Sequence, residues 1–110
     1  MIDIPEHEFD DLVETAVRGL PRRFAELLEN VVIVVEEEPT REDLHALTHA
    51  GDELLGLFRI FPPLPDQVVI FRRPILRIAR NRGHAVRQVR ETVVHELGHY
   101  FGLDDEDMAY

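Results

Sequence analysis

The sequence predicts an α+β fold: a small mixed sheet of two to four strands, helices packed on it, and a long helix near the C-terminus. Three observations carry this. The runs Val31-Val32-Ile33-Val34-Val35 and Gln67-Val68-Val69-Ile70-Phe71 are apolar, β-branched and too short for helices. Segments toward both ends space their apolar residues three and four apart, the period of an amphipathic helix. Finally, 110 residues hold enough apolar material for one core and not for two, so residues 1–110 are expected to form a single domain.

Taken in order, Pro5 suits a first helical turn, acids follow it, Phe9, Leu12, Val13, Ala16 and Val17 share one helical face, and Gly19 follows. An amphipathic helix is expected there, and a short second helix from Pro21 to Glu29. Val31 to Val35 reads as a central strand because it is apolar throughout. Pro39-Thr40 stops it, and Thr40 with Asp43 three residues on resembles a capping box opening a helix to about His49, closed by Gly51. Leu54 to Ile60 fits strand or turn, since Gly56 interrupts it and Phe61-Pro62-Pro63-Leu64-Pro65 ends it in extended geometry. Residues 67–71 form the second clear strand. Pro74 opens a helix to about Arg80, Asn81-Arg82-Gly83 breaks it, and the long helix runs from about His84 to Phe101.

Composition narrows the function. A hydrophobic share of 45% with mixed charges belongs to a folded chain. No apolar run approaches the roughly 20 residues that cross a bilayer, so no membrane partner is expected. Met1 to Glu6 lacks the basic and apolar regions of an export signal, which makes cytoplasm the expected compartment. The net charge of −10 disfavours nucleic acid, which needs a positive footprint. That charge is uneven: residues 71–90 hold 7 arginines and no acid between two acidic regions. The band reads as solvated helix faces paired with acids or, alternatively, as an anion-binding patch. With no cysteine, any transition-metal site must use His and carboxylate.

Such a set stands in the last helix, where His95-Glu96-Leu97-Gly98-His99 is an HExxH pattern. Histidines at i and i+4 project from one helical face, so both imidazoles can reach one ion at the roughly 2.0–2.1 Å of a Zn–N bond. Glu96, turned about 100° from His95, is offset from the ligand axis and takes the general-base position beside an activated water. Val86, Val89, Val93 and Leu97 form an apolar stripe within about 40° of Val93 on the helical wheel, and the histidines lie about 200° to 240° from it. One face therefore packs on the core while the other presents ligands. The pattern continues to HExxHxxGxxD, far rarer by chance than HExxH alone: Gly102 can take φ > 0, end the helix and turn the chain so that Asp105 faces the same ion. Three protein ligands, His95, His99 and Asp105, would hold Zn2+ with a fourth position open.

These residues resemble the metzincin side of the zincin metallopeptidases, and more closely a family of very small bacterial zincin-like proteins with HExxHxxGxxD followed by methionine, here His95, Glu96, His99, Gly102, Asp105 and Met108. Residues 68–74 and 54–58 also look like that family. The resemblance implies that the histidines bind zinc, that Glu96 activates water, and that an edge strand before the helix, residues 67–71, aligns an extended peptide. The third ligand is Asp where most metzincins use His, and the 110 residues leave no room for a C-terminal subdomain with its own methionine turn. Met108 could lie beneath the metal instead or be core filler. Tyr110 could stabilise an oxyanion or be a loose terminal residue.

The leading expectation is a zinc-dependent hydrolase acting on a peptide or protein substrate. The alternative is a non-enzymatic zinc-binding protein in which the metal is structural or serves a partner. His45 and His49 are also spaced i, i+4 but lack a following Glu and third ligand, and with His7 and His84 they read as surface residues. Asp104 competes with Asp105 as the third ligand.

Overall fold

Helix boundaries follow the local chemistry closely. The computed structural model describes residues 2–45 and 53–103. Helix α1 (Glu6–Arg18) starts after Pro5, carries Glu6 and Glu8 in its first turn, and buries Phe9, Leu12, Val13 and Ala16. Helix α2 (Arg22–Leu27) is short and buries Phe24. Strand β1 (Val31–Glu36) follows. The Thr40 hydroxyl accepts from the Asp43 amide at 3.1 Å while the Asp43 carboxylate accepts from the Thr40 amide at 2.8 Å, the expected capping box. It opens α3, which spans only Arg41–Leu44; the expected continuation toward His49 lies outside the described residues.

The segment that fitted strand or turn forms β2 (Gly56–Arg59), and β3 spans Asp66–Phe71. Helix α4 (Arg72–Ile78) begins two residues ahead of the expected Pro74, whose missing amide falls in the first turn where no intrahelical partner exists. Asn81 does not merely break the chain; its side chain accepts from the His84 amide at 2.9 Å and caps α5 (Arg82–Phe101).

Among the described residues the sheet has 3 strands in the order β1-β3-β2, with β1 parallel and β2 antiparallel to β3. Both expectations about strand position are corrected here. Residues 67–71 form the central strand, with Val68 to Phe71 at 0% exposure, whereas Val31–Val35 lies at an edge, with Val32 45% exposed. The apolarity of β1 has another cause: Val31, Ile33 and Val35 pack against the core, Ile33 and Val35 line a surface groove with Val13 and Val17 of α1, and a parallel pairing favours branched residues.

Helix α5 lies across β2 and β3 and packs on α1, α2 and α4, so it is the common wall of the core. Val89, Val93 and Leu97 are fully buried with Phe9, Phe24 and Ile75. Each such side chain contributes about 1.5–3 kcal/mol through its removal from water. The helix is thereby fixed by one face, which determines where its other side chains point.

Candidate metal centre

The stripe expected on α5 is present, with Val89, Val93 and Leu97 at 0% exposure and Val86 half-buried, and Ala85 and Val94 widen it. His95 and His99 lie on the exposed side. Their ring centroids are 4.2 Å apart and the rings are inclined at 62°. One ligand atom from each of His95, Glu96 and His99 lies within 4.8 Å of the others. Two nitrogens about 2.1 Å from a shared ion stand at most about 4.2 Å apart, so turns of exposed imidazoles close the gap. Partial burial, and then the neighbouring His99 ring, hold the His95 pKa below its ordinary value. That favours the neutral imidazole, the form that ligates a metal.

Glu96 differs from both histidines. Thr92, Glu96 and Tyr100 form one row along α5, four residues apart. A Cβ placed on Gly56 would stand 2.6 Å from the Thr92 Cγ2, and the Phe58 ring centroid is 3.9 Å from that of Tyr100. The row therefore faces β2, with Glu96 between these two contacts. It is half-buried, and burial alone pushes its carboxyl up to about 7. Among the described residues no hydrogen bond or ion pair engages it. A half-buried carboxyl beside two imidazoles, with a pKa near neutrality, is equipped to take and return a proton.

A cleft of about 460 Å³ opens between α5 and the chain entering β2, lined by Leu54, Leu55, Gly56, Glu91, His95 and Glu96 among others. The described strand at the edge beside this cleft is β2, not β3 as the resemblance implied. Gly56 allows the close approach: besides Thr92, its added Cβ would also meet the Val69 carbonyl at 2.6 Å.

At the C-terminal end of α5, Gly102 has φ 66° and ψ 34°, the left-handed conformation expected of it. The Leu103 amide donates to the Gly98 carbonyl at 2.9 Å and closes the helix. Asp105, its competitor Asp104, Met108 and Tyr110 lie outside the described residues, as does His49. The sequence reading missed Tyr100, whose hydroxyl donates to the Asp66 carboxylate at 2.6 Å and ties the turn carrying His99 to the start of β3. Its i+4 spacing from Glu96 was the available signal.

The remaining histidines have ordinary places. His7 and His45 are exposed, and the His84 ring accepts from the Arg80 amide at 3.0 Å and contacts Gln88. Much of the arginine band pairs with acids. Arg72 bridges the Ile4 carbonyl and Glu37, Arg73 pairs with Glu37, and Arg77 meets Glu38 and Glu53, each at 2.8 Å. Arg90 donates to the Ala16 carbonyl. Among the described residues no helix is long and apolar enough to cross a membrane.

No curated protein matches the chain. A solved structure, a conserved hypothetical protein from Thermo thermophilus, is similar with a TM-score of 0.59 and 22% identity, covering 89% of this chain and 94% of that one. At that identity the likeness bears on the fold. The family model of zincin-like metallopeptidases matches residues 28–110, most of the chain and all of the helix that carries His95, Glu96 and His99. The chain belongs to the zincin-like metallopeptidase family.

Proposed function

We propose that the protein is a metzincin-like zinc-dependent hydrolase, a metallopeptidase that cleaves peptide bonds, with His95, His99 and Asp105 as zinc ligands and Glu96 as general base. The observation that carries the reading is the division of labour on α5: two exposed imidazoles turned toward each other, and beside them a half-buried carboxyl with no hydrogen bond or ion pair among the described residues. The donor set of two histidines and carboxylates suits zinc. Zinc, when bound, supplies Lewis acidity that lowers the pKa of water toward neutrality and polarises a carbonyl.

The protein's own residues do the rest. His95 and His99 would hold the ion, and Asp105 would complete the set as the residue three past Gly102. Glu96 accepts a proton from the attacking water and returns it to the leaving amine. An extended peptide lies along the outer edge of β2, whose described backbone partner is β3 on its inner side, and enters the cleft beside Glu96. A purely structural metal would be served better by a closed, buried site, and His95 and His99 are exposed.

The test is the Glu96→Gln variant, which preserves shape while removing the proton acceptor. Zinc content and fold should persist, and hydrolysis of peptides by the zinc-loaded protein should fall by a factor on the order of 10². Undiminished hydrolysis by a zinc-replete variant would assign the chemistry to another residue.

A further inference from the structure

Beyond the Glu96 row, β2 and α5 share an apolar corner. Side chains alternate along a strand, so Gly56 and Phe58 face α5 while Arg59 turns away to Glu36 and Asp43. Carrying that alternation one residue past the strand puts Ile60 on the Phe58 side. Phe58 meets Tyr100 edge-on at 3.9 Å, and Tyr100 stacks on Phe101 at 4.9 Å. Despite these ring contacts Tyr100 and Phe101 remain 40% and 43% exposed, and Ile60 is 53% exposed. Lone exposed apolar residues are ordinary, but Tyr100 and Phe101 stack on each other immediately past His99 and the strand alternation carries Ile60 to the same side, on a chain whose net charge is −10.

We infer that this corner is a specificity surface that receives an apolar or aromatic side chain of the substrate, on the side of the scissile bond nearer the C-terminal end of α5. The inference rests on the peptidase reading and names its substrate class, extended segments of unfolded polypeptide rich in apolar residues. Among the described residues β2 pairs only with β3, so its outer backbone groups can receive another extended chain. A segment laid there passes Gly56 and the cleft first, then Phe58 and Ile60. An acidic side chain at the corner would meet the Asp66 carboxylate, already engaged by the Tyr100 hydroxyl, and the negative charge of the molecule. An aromatic side chain would instead gain ring contacts and lose water.

The experiment is cleavage of a randomised decapeptide library by the zinc-loaded protein, with cut sites mapped by mass spectrometry. Phe, Tyr, Leu and Ile should exceed Asp and Gly at one position by at least tenfold, about 1.4 kcal/mol. Ile60→Ser should reduce that preference below about threefold, and Ile60→Arg should shift it toward Asp and Glu, which a merely structural role of Ile60 would not do. Cleavage without any positional preference, or a preference unchanged in both variants, would overturn the inference while leaving the peptidase reading intact. If the wild-type protein cuts nothing, fluorescence anisotropy with labelled apolar and acidic decapeptides decides: tenfold tighter binding of the apolar peptide, lost in Ile60→Ser, supports the surface without the reaction, and equal affinities overturn it. A dimer in sedimentation that Ile60→Arg abolishes would assign the corner to a second copy of the chain and also overturn it.

Discussion

Glu96 is half-buried with no hydrogen bond or ion pair among the described residues, unlike Asp43, whose carboxylate is held by Thr40 and Arg59, and this has a consequence for stability. Below pH 4.5 the group is protonated in folded and unfolded chains alike and contributes nothing either way. As pH rises from 4.5 toward 7 the unfolded chain ionises first, so the folded state loses ground, and the loss is complete above about 7. In chelator-stripped protein Glu96→Gln should remove this penalty, raising stability at pH 8 by on the order of 1 to 2 kcal/mol once partial exposure is allowed for, with little change at pH 4. Urea titrations of both proteins at the two pH values check it; a variant less stable at pH 8 would show that the carboxylate has a stabilising partner. Tyr100 makes a second prediction at this scale. Tyr100→Phe keeps the ring on Phe58 and loses the hydroxyl bond to Asp66; because that bond is open to water, the urea midpoint should fall only slightly, and a large fall in the same titrations would contradict this.

Among the elements, α5 was the most legible in the sequence, because one short spacing rule governs its core face, its candidate ligands and its end. The 3-4-4 stripe predicted the buried side, HExxH the opposite one, and Gly102 the left-handed turn. Strand placement was less legible. An apolar run reports that side chains are covered and not which neighbour covers them, and β1 is covered on one side by α1 and the core while, among the described residues, it pairs only with β3. Likewise the division of Glu96 from the histidines follows from spacing, but its half-buried state depends on where β2 lies, and Gly56 looked like an interruption in a strand when it lets β2 approach Thr92 of α5 closely. The Gly102 turn is testable. A Cβ there would meet nothing within 4 Å, so Gly102→Ala should cost only the conformational penalty of about 1–2 kcal/mol. Because that turn leads to Asp105, zinc affinity should fall as well. A calorimetric comparison in which affinity is unchanged would place the third ligand elsewhere than after this turn.

At the scale of the molecule, core and site occupy opposite sides of the same helix. The core that joins α1, α2, α4 and the sheet to α5 includes neither histidine. Removing metal with EDTA should therefore lower the melting midpoint, by the binding energy linked to the folded state, and leave the far-ultraviolet circular dichroism of a folded protein at 25 °C. Outright unfolding on chelation would favour a structural role for the ion. Conversely, Leu97→Ala, made in the same turn as the site but on the core face, should cost about 2–5 kcal/mol of stability.

Whether His95 and His99 share one zinc ion is decided by isothermal titration of metal-free protein with zinc. The wild type should take up about one zinc per chain, His95→Ala and His99→Ala should each lose tight uptake while remaining folded, and Asp105→Ala should bind more weakly. Failure of the wild-type protein to bind zinc, or unchanged uptake after His99→Ala, would contradict the account.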